Sequence, residues 1–111
     1  MMRTTLGELE EFILLIIGVI KDDAYGVTIT QMLEKETGRA VDFSTVHTTL
    51  KRLEEKGFVK SAMGGATAER GGRRKRYFSI TAYGFKTLRE SQETRMRLWS
   101  QVPLKVGTKS I

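Results

Sequence analysis

Several residue types that would support other chemistries are scarce in this chain of 111 residues. It has no cysteine, which excludes disulfides, thiolate metal sites and a cysteine nucleophile. Its single histidine leaves too few ligands for a structural zinc site. The long apolar run at residues 12–20 has nine residues, whereas a membrane-spanning helix needs about 20. These shortages argue against a disulfide scaffold, a zinc module and a membrane protein.

Secretory and catalytic signatures are also missing. The residues Glu8, Glu10 and Glu11 are acidic where a signal peptide would be basic, so we expect a cytoplasmic protein. The glycine pairs at 64–65 and 71–72 lack the spacing and the following helix of a phosphate-binding loop. A lone histidine without a carboxylate partner is poor support for catalysis. We therefore predict a protein that is not an enzyme and that uses no cofactor or metal.

Positive charge is concentrated after residue 40. Residues 1–40 carry four basic and seven acidic side chains, residues 41–80 carry nine and four, and the remainder carry six and two. The net charge of +6 therefore comes from the later part of the chain, a pattern typical of proteins that bind polyanions. The length and the apolar fraction of 40% suit one folded domain with a modest core.

The first predicted helix is unusually apolar. Thr5 and Glu8 form a capping box at its start, and it runs to about Ile20. From Phe12 onward the helix is apolar on nearly every side, so one flank faces the core and the other needs a different partner. A second subunit is the simplest such partner.

A second helix is expected between Asp23, as its N-cap, and Gly38, as its C-terminal stop. Apolar residues at helical spacing define its inner side. These residues are Tyr25, Ile29, Met32 and Leu33.

The third predicted helix carries the clearest functional signal. It follows Asp42 and ends before Gly57, and its buried stripe consists of Val46, Leu50 and Leu53. The opposite side and its shoulders carry short polar groups and one lysine, which are able to reach base edges in a DNA groove. We predict DNA contacts from Ser44, Thr45, His47, Thr48 and Lys51. For Thr45 local capping, and for His47 a phosphate contact or an idle exposed side chain, are open alternatives.

Two strands, at residues 58–63 and 75–80, flank a glycine-rich loop. Five of the seven residues from 70 to 76 are cationic, which suits contact with a phosphate backbone, although a solvated charge run is the plain alternative. The predicted DNA contacts of this wing are Arg70, Arg73, Arg74 and Lys75.

A fourth helix is predicted from Thr81 to about Ser100. The expected fold is therefore mainly α with a small β-hairpin: a winged helix-turn-helix domain at 1–80, a C-terminal dimerisation helix at 81–103 and a flexible tail at 104–111. The predicted dimer interface comprises Phe12, Leu15, Ile16, Leu88, Met96 and Trp99. Of these, Phe12, Met96 and Trp99 are also candidates for binding a small molecule between subunits, with plain packing as the alternative.

Three stretches resemble the PadR family of bacterial transcriptional regulators. They are residues 14–26, which end in Asp-Ala-Tyr-Gly, residues 45–57 with Leu-Lys-Arg-Leu-Glu, and residues 71–77 followed by Thr-Ala-Tyr-Gly at 81–84. The resemblance implies a homodimeric repressor that binds inverted repeats of double-stranded DNA. The single C-terminal helix is similar to that of the short subfamily, whose first and last helices form the dimer and some of whose members release DNA when aromatic effectors bind.

Three positions depart from that family. His47 replaces a usual tyrosine, Val27 replaces a common aromatic residue, and Trp99 lies about one turn away from the ligand-binding tryptophan of some members. The half-site preference and the effector therefore cannot be carried over. A winged-helix module that binds protein or RNA, and a small-molecule sensor with vestigial DNA binding, are the alternative functions.

Overall fold

The structure is a computed structural model that describes residues 6–64 and 74–103. This part of the chain contains four α-helices, one 3-10 turn at Lys21–Asp23 and one antiparallel hairpin, which confirms the predicted fold class. The helices are α1 at Glu8–Ile20, α2 at Gly26–Thr37, α3 at Phe43–Glu55 and α4 at Ala82–Gln101, and the strands are β1 at Val59–Met63 and β2 at Arg76–Ile80. Among these residues no helix has both the length and the apolar character needed to cross a membrane.

The starts of the first two helices differ from the prediction. The N-cap of α1 is Gly7, whose amide donates to Glu10 Oε1 at 2.8 Å, so Glu10 rather than Glu8 reaches back. The predicted capping residue Thr5 lies outside the described residues. Asp23 is not the N-cap of α2, because the 3-10 turn extends the first helical segment, and Tyr25 takes that place. Its amide donates to Thr28 Oγ1 at 3.0 Å.

The other helix boundaries agree with the prediction. Gly38 caps the end of α2 in the left-handed conformation (φ 73°), and Asp42 is the N-cap of α3. Gly57 also has a positive φ, of 83°, and directs the chain from α3 into β1. Thr81 Oγ1 accepts a hydrogen bond from the amide of Gly84 at 2.9 Å and so caps α4.

The hairpin is attached through β2 to the segment that precedes α2. β1 and β2 pair from Val59 opposite Ile80 to Met63 opposite Arg76, so each strand begins one residue later than predicted. On the other side of the hairpin, the Phe78 amide donates to the Ala24 carbonyl at 2.8 Å. The hairpin is therefore fixed against the turn that precedes α2.

One hydrophobic core joins all these elements. The three residues predicted for the buried stripe of α3 are at most 1% exposed, and Thr49 beside them is also buried. The same core contains the inner side of α1, the middle of α2 and the first part of α4. Its most deeply buried members include Ile13, Leu14, Ile29, Leu33 and Phe58.

The first turn of α4 lies directly on the backbone of Phe58, between α3 and β1. Gly84 is buried, and a Cβ atom built on it would overlap the carbonyl oxygen of Phe58 and lie 2.8 Å from its carbonyl carbon. Tyr83 covers the same region, with its ring centroid 5.1 Å from that of Phe58. Glycine at position 84 thus permits a close approach that no other residue allows.

Candidate nucleic-acid interface

The outer side of α3 is polar and open to solvent. Val46, Leu50 and Leu53 hold the helix on the core. Since side chains recur every 3.6 residues, the same packing turns the opposite side outward. All five side chains of α3 predicted to contact DNA are exposed there: Ser44, Thr45, His47, Thr48 and Lys51.

An exposed aromatic residue begins α3, and the sequence argument did not include it. Phe43 is 50% exposed, and its ring lies nearly parallel to that of His47, with 6.2 Å between centroids and 22° between planes. An edge of the Phe43 ring lies against Gly26 at the start of α2. An apolar residue placed just before the buried stripe of α3 was the sequence signal for it.

The base of the wing rests on Tyr25, which the sequence placed on the inner side of α2. Tyr25 and Tyr77 form an isolated β-bridge, and their rings meet edge to face with centroids 5.4 Å apart. Lys75 Nζ lies 4.4 Å from the centre of the Tyr25 ring and donates to its hydroxyl at 3.3 Å. This hydrogen bond raises the pKa of Lys75. The lysine therefore stays cationic and is held at the edge of the hairpin.

Two of the four predicted wing cations lie among the described residues. Arg70 and Arg73 lie outside the described residues, whereas Arg74 and Lys75 are exposed at the end of the wing that meets β2. The next cation, Arg76, donates through Nη1 to Ser61 Oγ at 2.9 Å, and Ser61 Oγ donates to Glu54 Oε2 at 2.7 Å. The carboxylate of Glu54 is therefore hydrogen-bonded to the hairpin.

Two buried glutamates of α1 hold the other helices in place. Glu10 forms an ion pair with Lys56 at 2.8 Å, just beyond the end of α3. Burial alone would raise the pKa of Glu10, but the hydrogen bonds from Lys56 and from the Gly7 amide outweigh it, so the pKa is lowered. The sequence carried a signal for this burial, since Glu10 shares helical spacing with Ile13, Leu14 and Ile17.

Glu11 makes the corresponding contacts with α4. Its carboxylate accepts hydrogen bonds from Ser91 Oγ at 2.6 Å, Gln92 Nε2 at 2.8 Å and Arg95 Nη2 at 2.8 Å. Burial raises the pKa of Glu11, yet the donors Arg95 and Ser91 and the charge of Arg95 together leave it below its ordinary value. Arg95 is thus engaged within the chain.

The residues predicted for a dimer interface fall into two groups. Ile16 and Leu88 are only 6% and 5% exposed and belong mainly to the chain's own core. The others retain accessible surface: Phe12 is half-buried, while Leu15, Met96 and Trp99 are exposed.

An open apolar groove of about 620 Å³ runs between α1 and α2. Phe12 and Leu15 line it, and Met96 and Trp99 lie outside it on the last turns of α4. Its other apolar lining residues are Ile16, Val19, Met32 and Leu33.

Solved structures of other proteins share this arrangement. A PadR-like transcription factor from Bacteroides fragilis has a TM-score of 0.70 and 25% sequence identity, with 85% of each chain covered. A PadR family transcription regulator from Clostridium difficile has a TM-score of 0.66 and 26% identity over 86% of this chain and 94% of that one. Bacillus subtilis PadR in complex with operator DNA has a TM-score of 0.61 and 22% identity, over 76% of this chain and 47% of that one.

Sequence comparison gives the family directly. No curated protein sequence is significantly similar to the chain. The family model described as the transcriptional regulator PadR-like family matches residues 13–90, which extend from α1 to the middle of α4. The match includes the outer side of α3, both strands of the hairpin and the Gly84 contact. The chain therefore belongs to the PadR-like family of transcriptional regulators.

Proposed function

We propose that this chain is a homodimeric repressor that binds inverted-repeat operator DNA in the cytoplasm. The observation that carries the proposal is the two-sided character of α3. One side is buried in the core, and the other presents three short hydroxyl side chains, an imidazole and Lys51 to solvent. Hydroxyl groups pair with either kind of base edge, and a lysine suits guanine O6 and N7. The operator complex of the Bacillus subtilis relative supports this use of the fold.

The wing supplies affinity rather than selectivity in this proposal. Arg74 and Lys75 are exposed beside the hairpin, and Arg70 and Arg73 precede them in the sequence. Cations that neutralise phosphates release counterions, so binding weakens as salt is added. For about six phosphates per dimer, the logarithm of the binding constant falls with the logarithm of salt concentration with a slope of about −5.

The dimer in this proposal joins α4 of one subunit to the groove between α1 and α2 of the other. Met96 and Trp99 are exposed on the last turns of α4, and Val102 is exposed directly after it. The groove offers an apolar lining of matching character. Of the charged residues that also line it, Glu8 and Glu36 are opposite in charge to Arg97 and Arg39 has the same sign, so acidic residues predominate. Two copies would also supply two recognition helices, as a palindromic operator requires.

An aromatic effector fits the same region. Phe12, Met96 and Trp99 belong to the proposed subunit interface and leave apolar and aromatic surface accessible. A flat compound bound there would change the packing of the two subunits and hence the distance between their recognition helices. Because Trp99 is the one tryptophan of the chain, quenching of its fluorescence would report such binding.

The function is tested by fluorescence anisotropy. The protein is titrated into the DNA upstream of its own gene and into a scrambled duplex of equal length, over a series of salt concentrations. We expect a preference of about a hundredfold for the upstream DNA, equivalent to about 3 kcal/mol. Lys51→Ala should reduce that preference, whereas Arg74→Ala should weaken binding to both duplexes and flatten the salt dependence.

Lys86→Ala, at an exposed lysine of α4, is the matched control and should change neither quantity. Equal and weak binding to both duplexes would contradict the proposal. That result would favour a winged-helix module for protein or RNA. Quenching of Trp99 by aromatic compounds without a salt-dependent DNA complex would favour a small-molecule sensor.

A further inference from the structure

We propose that Phe43 determines specificity by contacting the 5-methyl group of a thymine in the major groove. This inference deepens the proposed function and rests on it, because it assumes that α3 enters the groove of operator DNA. Phe43 is the first residue of α3. Its side chain is 50% exposed, although the core lies directly behind the helix.

The ring of Phe43 is held in place on two sides. A Cβ atom built on Gly26 would lie 2.9 Å from Phe43 Cζ and 3.0 Å from Cε1, so the ring edge occupies the space that a side chain at position 26 would need. The ring of His47, one turn later on α3, lies at an angle of 22° to it. This spacing is within the usual range for aromatic pairs. The exposed part of Phe43 therefore has a defined position rather than a free one.

The position of Phe43 matches the part of a recognition helix that contacts bases. In helix-turn-helix proteins the N-terminal residues of this helix contact base edges in the major groove. Thymine presents a methyl group there, with which apolar side chains make contact. Phenylalanine has no hydrogen-bonding group with which to select any other base feature.

The charge next to Phe43 also favours a base over a phosphate. Asp42, the N-cap of α3, is exposed and lies one residue before it. A carboxylate at this point would repel a nearby phosphate. The first turn of α3 is consequently suited to an uncharged contact, while Lys51 and the wing provide the cations.

The test removes single methyl groups from DNA. A preferred duplex is first selected by the wild-type protein from a randomised library, and each thymine in it is then replaced in turn by deoxyuridine. We expect one symmetry-related pair of thymines at which each lost methyl weakens wild-type binding about fourfold. Phe43→Ala should bind the thymine and deoxyuridine duplexes equally at that pair, and Phe43→Leu should keep part of the difference.

Three further variants distinguish the contact between Phe43 and the methyl group from the effects of other residues. Phe85→Ala removes an aromatic side chain of α4 that is similarly exposed, at 54%, and should keep the full methyl effect. His47→Ala should keep only part of it, since one of the two contacts that hold the ring is lost and the Gly26 contact remains. Gly26→Ala should reduce the methyl effect, because the added methyl group displaces the Phe43 ring although residue 43 is not substituted.

The outcomes distinguish failure of this inference from failure of the proposed function. Equal methyl sensitivity of wild type and Phe43→Ala at every thymine would overturn the inference. So would an insensitive wild type, or a Phe43→Ala variant that keeps its melting temperature and weakens binding to all duplexes by one factor. In those cases the proposed function would stand. Failure of the wild type to select any sequence would instead overturn the proposed function, and this inference with it.

Discussion

Arg95 of α4 grips both carboxylate oxygens of Glu11 in α1, with Nη2 2.8 Å from Oε1 and Nε 3.1 Å from Oε2. Such two-point pairing fixes direction as well as distance. Ser91 and Gln92 donate to the same carboxylate, whose side chain is 6% exposed. The orientation of α4 relative to α1 therefore depends on one buried acid.

Glu11→Ala should lower the free energy of unfolding by about 2 kcal/mol, because it removes the shared acceptor of charge-assisted hydrogen bonds. The loss stays moderate since Arg95 is exposed enough to be solvated after the change. Urea denaturation followed by circular dichroism measures it. Glu90→Ala removes an exposed acid from α4 and is the control, with almost no expected change. Equal stability of the two variants would show that the Glu11 contacts contribute nothing.

Acid should destabilise the fold through Glu10 and Glu11. Both pKa values lie below the ordinary value of 4.5, so the folded state binds these protons more weakly than the unfolded state does. Their contribution to stability is complete above that value and is lost as the pH falls through the lowered pKa values. Urea denaturation from about pH 7 to about pH 3 measures the effect. A Glu10→Gln and Glu11→Gln double variant should lose less stability over this range than wild type, and an identical loss would contradict the assignment.

Gly84→Ala should destabilise the protein by about 3 kcal/mol, because its Cβ would overlap the Phe58 carbonyl group and neither backbone is free to move. Gly18→Ala in α1 is the matched control. There a Cβ would meet Ile80 Cδ1 at 3.4 Å, and alanine favours the helix by about 1 kcal/mol relative to glycine. Thermal unfolding should therefore move in opposite directions for the two variants. A Gly84→Ala protein as stable as wild type would disprove the close approach.

Tyr25→Leu should weaken DNA binding although it removes no charge. The tyrosine ring contacts the ammonium group of Lys75 and packs edge to face with Tyr77. Without these contacts the base of the wing is less firmly positioned. We expect a decrease of about threefold in affinity, the size of one exposed cation–aromatic contact. Anisotropy across a salt series is the measurement, and Tyr83→Leu, on α4, is the control. If only Lys75→Ala reduces affinity, Tyr25 has no role in positioning the wing.

Trp99→Ala should weaken self-association at least about tenfold, as expected for an aromatic residue near the centre of an interface. Sedimentation velocity over a range of protein concentrations measures the dissociation constant. Tyr83→Ala provides a comparison, because Tyr83 is also exposed on α4 but packs on Phe58 of its own chain. Association that is unaffected by Trp99→Ala, or equally affected by both changes, would refute the proposed interface.

The sequence predicted best those features that depend on a single helix. Helical spacing around Val46 and Leu50 was sufficient to predict which side of α3 is buried and which is exposed. It did not predict the pairing of Glu11 with Arg95, because contacts between distant segments depend on how two helices pack. Asp23 was wrongly predicted as an N-cap. It belongs to a 3-10 turn of three residues, which is too short to show a periodic pattern in the sequence.

The contact at Gly84 fixes the first turn of α4, and the hydrogen bonds of Ser91, Gln92 and Arg95 to Glu11 hold the helix a second time nearer its end. With a rise of about 1.5 Å per residue, Gln101 lies about 25 Å beyond the point where the helix touches Phe58. If the hydrogen bonds of Glu11 were lost, a tilt of about 5° at that point would carry the far end through about 2 Å, enough to separate side chains in van der Waals contact. A small displacement of the helix beside Phe58 would then become largest around Trp99. Tolerance to mutation should accordingly be low at Gly84, where the helix lies on the Phe58 backbone.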